Sequence, residues 1–149
     1  MKSFRQAVEA NDHAAIEALL AEDVVFTSPV AFKPYPGKAI TAAVLRGVSR
    51  VLTDFHYVRE FTGEGGRDHA LVFEARVGDR AITGCDFLHL NEQGLIDGFT
   101  VMVRPLSAAQ ALAEAMGAQF DRIAAEAAGT APAGEATGRT AETGPETPV

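Results

Sequence analysis

Apolar residues recur at helical spacing through the first third of the chain, and the period then shortens to that of strands. Phe4 and Val8 lie four apart, Asn11 and Asp12 offer a cap, and Ile16, Leu19 and Leu20 resume the stripe. This predicts two short helices meeting at residues 11–13. The run DVVFT at 23–27 is β-branched and aromatic and is stopped by Pro29, so it reads as a short strand. Pro34, Pro36 and Gly37 mark an irregular loop after it. Ile40, Val44, Leu45, Val48 and Val51 follow helical spacing over 38–52, a third amphipathic helix.

A meander of strands follows, at 55–62, 70–77, 80–90 and 95–104, with turns at GEGGRD, at Gly78-Asp79 and at 91–94. Pro105 ends the last strand. Ser107 stands three residues before Gln110, a capping-box spacing, and Leu112, Met116 and Phe120 line one face of a closing helix. From Ala124 onward the chain turns to Ala, Gly, Thr, Pro and Glu, with no large apolar residue before Val149. Such a segment does not offset its ordering entropy. The reading is one folded domain over 1–123 and a disordered low-complexity tail over 124–149.

Tight turns set register, and register sets which side chains share a face. The Gly78-Asp79 turn places Val77 opposite Arg80, hence Phe73 opposite Gly84 and Leu71 opposite Asp86. A four-residue turn at 91–94 places Leu90 opposite Leu95, hence Leu88 opposite Asp97, Asp86 opposite Phe99 and Gly84 opposite Val101. One face then reads Leu71, Phe73, Ala75, Val77, Ile82, Gly84, Asp86, Leu88, Leu90, Phe99, Val101 and Val103, with a lone carboxyl among apolar neighbours. Burying it as a charge costs several kcal/mol, so Asp86 either holds a proton near neutral pH or has a partner. Two roles fit: a catalytic acid or base in an apolar pocket, or a structural carboxyl bonded to a Tyr or to backbone. One single-residue bulge would turn Asp86 to the other face.

The opposite face carries Val72, Glu74, Arg76, Thr83, Cys85, Phe87, His89, Ile96, Thr100, Met102 and Arg104. Its middle is too apolar to stand in water, which predicts a homodimer through this outer sheet face, or a cover from the chain's own closing helix or loops.

Composition narrows the function. Nearly half of the 149 residues are apolar, enough for one core, and the net charge of −7 with scattered Lys and Arg argues against nucleic acid. The absence of a long apolar run argues against a membrane span and for a cytoplasmic protein. Cys85 is the only cysteine and reads as inert. The four histidines are dispersed and no phosphate loop precedes a helix, so neither metal nor cofactor is expected.

The order of helices, short strand, helix and long meander, with the segments AEDVVFTSPV and GCDFLHLNEQGLIDGFTVMVRP, resembles the SnoaL-like, nuclear-transport-factor-2-like superfamily over residues 1–120. The resemblance implies an α+β fold: a cone-shaped, curved antiparallel sheet wrapped around N-terminal helices, commonly dimeric, with an apolar cavity. Ketosteroid isomerases, polyketide cyclases and epoxide hydrolases share it. Carried over from the isomerases, Asp86 matches the oxyanion-hole Asp; Ser28 stands at the place of the catalytic base and Phe4 at that of the oxyanion-hole Tyr. The Arg that epoxide hydrolases carry two residues before a strand Asp is Gly84 here. The expected pocket lining is Phe4, Phe26, Ser28, Tyr57, Leu71, Phe73, Leu88, Phe99, Val101 and Val103. Tyr57 fits either a donor to the cavity or a core aromatic. Three functions follow: a cofactor-independent isomerase, cyclase or dehydratase on a small apolar metabolite with Asp86 as acid or base; a non-catalytic binder of such a molecule; or a dimeric assembly domain.

Overall fold

A computed structural model describes residues 1–129. In chain order these form α1 (Lys2–Glu9), α2 (His13–Ala18), β1 (Leu20–Thr27), β2 (Tyr35–Pro36), α3 (Lys38–Val51), β3 (Leu52–Thr62), β4 (Asp68–Val77), β5 (Arg80–Leu90), β6 (Ile96–Arg104), α4 (Leu106–Ala118) and α5 (Phe120–Ala127). Asp12 caps α2 as expected, accepting from the Ala15 N–H at 3.1 Å. Leu20, expected to extend the helical stripe, instead opens β1, where it is fully buried against Ile96 of β6.

The sheet is curved and unclosed, with strand order β2-β1-β6-β5-β4-β3. It is not wholly antiparallel: β1 runs parallel to β6, because the helix and hairpins between them bring the chain back in the same direction. The helices pack on the inner face, and one core joins Phe4, Ile16, Val24, Val44, Leu71, Phe99 and Met116.

The turn between β5 and β6 departs from the expected register. It holds five residues, closed by the Asn91 N–H on the Leu95 carbonyl at 2.8 Å and by the Asn91 side chain on the N–H groups of Gln93 and Leu95. Leu90 therefore pairs with Ile96, turning Ile96 into the core instead of outward. A bulge at Asp97 follows and adds a second one-residue offset, so Leu88 pairs with Phe99, Asp86 with Val101 and Gly84 with Val103. Two odd offsets restore parity, and Phe99, Val101 and Val103 stay on the inner face with Asp86. The physical reason lies in Asp97. The expected pairing aimed it inward opposite Leu88; the bulge takes it to the other side, where it meets His89 Nδ1 at 2.7 Å.

The expected single closing helix breaks at Gln119 into α4 and α5, and Ser107 makes no cap. The N-cap position of α4 is Pro105, without a side-chain cap hydrogen bond, because α4 begins directly after the proline and Ser107 already lies within its first turn. The boundary expected at residue 124 falls inside α5. Ile123 is buried, and Glu126 reaches Arg50 of α3 at 3.3 Å and Arg122 at 3.3 Å. The rest of the expected tail lies outside the described residues.

Candidate functional site

Between the inner face of the sheet and the helices lies a cavity of about 320 Å³. Its walls include Phe4 from α1, Phe26 and Ser28 at the end of β1, Tyr57 from β3, Phe73 from β4, Asp86 from β5, Phe99, Val101 and Val103 from β6, and Phe120 and Ile123 from α5. Of the expected lining residues, Leu71 and Leu88 are the exceptions. Both sit on the inner face but are fully packed into the core, at 0% and 2% exposure, because that face extends beyond the cavity.

Asp86 is 6% exposed, and with Thr41 it makes up the buried polar residues among those described. Its partner is Tyr57, whose hydroxyl donates to Asp86 Oδ2 at 2.6 Å. Burial pushes the Asp86 carboxyl up to about 7, against the opposing pull of the Tyr57 hydrogen bond. The Tyr57 hydroxyl is held above its ordinary range by burial first and by Asp86 second, so it remains a donor at any working pH. The pair is a carboxyl that holds its proton up to about pH 7, braced by a phenol in a largely apolar pocket. Phe55 stacks on Phe73 at 4.7 Å between centroids and meets Tyr57 edge-on at 5.0 Å.

Tyr57 is itself fixed through its backbone. Its N–H donates to Glu9 Oε2 at 3.0 Å, and Arg5 Nη2 donates to its carbonyl at 3.1 Å. The pairing of β3 with β4 is irregular just after Tyr57, so α1 supplies partners where the ladder is disturbed. The i,i+4 spacing of Arg5 and Glu9 was a visible signal, but nothing in the sequence named the strand they clamp.

Ser28 Oγ accepts from the N–H groups of Val30 and Ala31 at 3.1 and 3.2 Å. Its lone pairs are spent on the turn, and a hydroxyl so engaged is a poor base. Phe4 meets Phe99 edge-on at 5.6 Å and offers no donor. Cys85 is half-buried, its thiol raised by burial and by Asp86. Among the described residues no group of three or more His, Cys, Asp or Glu side chains is placed to hold a metal ion, and no helix is long and apolar enough to cross a membrane.

Comparison with known proteins places this geometry in context. The SnoaL-like domain family matches residues 1–99. The chain is 39% identical to an uncharacterized bacterial protein with a cystatin-like fold from Silicibacter pomeroyi, over 84% of this chain and 89% of that one, with a TM-score of 0.77. It is 38% identical to a steroid delta-isomerase from Pseudomonas aeruginosa, over 83% and 90%, with a TM-score of 0.78. An NTF2-like protein from Cytophaga hutchinsonii shares the fold at 21% identity, over 71% and 88%, with a TM-score of 0.55. No functionally curated protein matches the sequence.

Proposed function

The chain belongs to the SnoaL-like domain family, and from that premise we propose that its cavity takes a small, largely apolar molecule by a carbonyl-type oxygen held on the Tyr57–Asp86 pair. The observation that carries this reading is a carboxyl with a 2.6 Å phenol partner inside an apolar cavity. Below about pH 7 Asp86 keeps its proton. Tyr57 occupies Oδ2, so Oδ1 bears that proton and donates it to the ligand oxygen. Negative charge that develops on this oxygen when water takes the proton of a neighbouring C–H is then stabilised in a low-dielectric site. The reaction class is a cofactor-independent isomerisation, cyclisation or dehydration with Asp86 as the acid, or as the base once ionised. The likeness to a steroid delta-isomerase supports this reading.

A second reading, a binder without catalysis, is favoured by Ser28, which stands where the isomerases carry their base and is engaged by two backbone N–H groups. One experiment separates the two. Titration of 4-cyclohexylcyclohexanone by calorimetry is expected to show binding that weakens in Asp86→Asn and Tyr57→Phe. In heavy water, mass spectrometry of the recovered ketone then reads hydrogen exchange at its α carbons. The enzyme reading expects exchange above the buffer rate, falling about tenfold or more in Asp86→Asn; the binder reading expects none above buffer. Affinity indifferent to both substitutions would overturn the assignment of the pair.

The same reading includes a homodimer through the outer sheet face, supported by Phe87 and Met102 standing 41% and 60% exposed on neighbouring strands. It also includes a cytoplasmic location, supported by a single free cysteine.

A further inference from the structure

The cavity has polar side chains on its helical wall as well. His13, the first residue of α2, and Ser49, near the end of α3, both line it. The Ser49 hydroxyl donates its one proton to the Arg46 carbonyl at 2.8 Å. Its oxygen therefore faces His13 Nε2, 3.2 Å away, as an acceptor. That arrangement puts the ring hydrogen on Nε2 and leaves Nδ1 of the neutral ring with a free lone pair. Among the described residues Nδ1 has no hydrogen-bond partner.

The groups around the ring keep it neutral. Burial lowers its pKa from the ordinary 6.5, and Arg46 and Arg50 of α3 lower it further, against Asp12 at the cap of α2 and Glu126 of α5. Glu9 of α1 lines the same cavity. His13 is half-buried whereas Asp86 is nearly sealed, and both line the same cavity.

We propose that His13 Nδ1 is the second anchor of the cavity and accepts a hydrogen bond from a hydroxyl of the ligand. The molecule taken is then an apolar body with a carbonyl oxygen at one end and a hydroxyl at the other, held end to end between β5 and α2. This inference rests on the reading of Tyr57 and Asp86 given above, and its test keeps the two apart.

The probes are 4-(4-hydroxycyclohexyl)cyclohexanone and its 4-methyl isostere, titrated by calorimetry into the native protein, His13→Phe, His13→Asn and Asp86→Asn. In the native protein the hydroxy ketone is expected to bind about 3- to 10-fold tighter than the methyl ketone, the worth of one neutral hydrogen bond. His13→Phe, which keeps a ring, removes that preference, read as the ratio of the two affinities within the same variant. His13→Asn, whose side-chain oxygen falls near the place of Nδ1, restores part of it. Asp86→Asn weakens both probes and keeps their ratio. Equal affinities in the native protein, or a preference that survives His13→Phe, would overturn the His13 assignment while leaving the pair's role standing. Binding of neither probe would overturn both.

Discussion

Asp86 couples the candidate site to the stability of the fold. In the unfolded chain its carboxyl releases its proton near 3.8, and in the folded chain only near about 7. Between these values the folded state binds more protons than the unfolded state, so stability falls as pH rises through the window, by about 1.4 kcal/mol per pH unit, and levels off above it. Asn keeps an acceptor for Tyr57 and has no proton to lose. Urea unfolding at about pH 5 and about pH 8 should therefore show Asp86→Asn gaining stability over the native protein at the higher value. A constant difference between the two proteins at both pH values would show that Asp86 does not titrate there. Counting along the hairpin of β4 and β5 was enough to place this residue on the inner face; the count along β5 and β6 reached the same face only because two offsets cancel. Its partner was not legible, because β3 is irregular on both sides of Tyr57 and Asp54 has a φ of 54°. Parity counted through such a strand no longer says which way a side chain faces.

The elements themselves were largely readable, and the misreadings have local causes. The last four residues of α5, 124–127, read as low-complexity text since Ala and Glu fill them; what orders them is the buried Ile123 just before, with the Arg50 and Arg122 contacts to Glu126. Burial would raise the Glu126 carboxyl, yet Arg50, Arg122 and Arg46 hold it below its ordinary value. Within β5, Gly84 answers a close approach of neighbouring strands. A Cβ there would stand 2.8 Å from the Met102 carbonyl oxygen and overlap the Phe73 ring. The backbone oxygen has little room to move, so Gly84→Ala should lose about 1–3 kcal/mol in a denaturant titration, and it should disturb the wall that carries Phe73 and Asp86. A neutral result would mean that the sheet relaxes there at no cost.

For the whole molecule, the outer sheet face is the surface whose composition asks for a cover. If a second copy provides it, Phe87→Lys should sediment as a monomer with its fold retained by circular dichroism. An unchanged sedimentation rate would move the interface elsewhere. The two offsets around Asp97 also bear on how this chain tolerates changes of length. Pairing on either side of the bulge is already consistent without the extra residue: Leu90 lies opposite Ile96, His89 opposite Gly98 and Leu88 opposite Phe99. Excision of Asp97 therefore leaves Ile96, Phe99, Val101 and Val103 pointing where they point now. Excision of Thr100 forces a choice between exposing Phe99 and exposing the two valines. A single-codon deletion series through β6, scored by melting temperature, should find its one permissive site at residues 97–98, with steep losses beyond it. Loss of a residue at this bulge then leaves the chemistry of the cavity untouched.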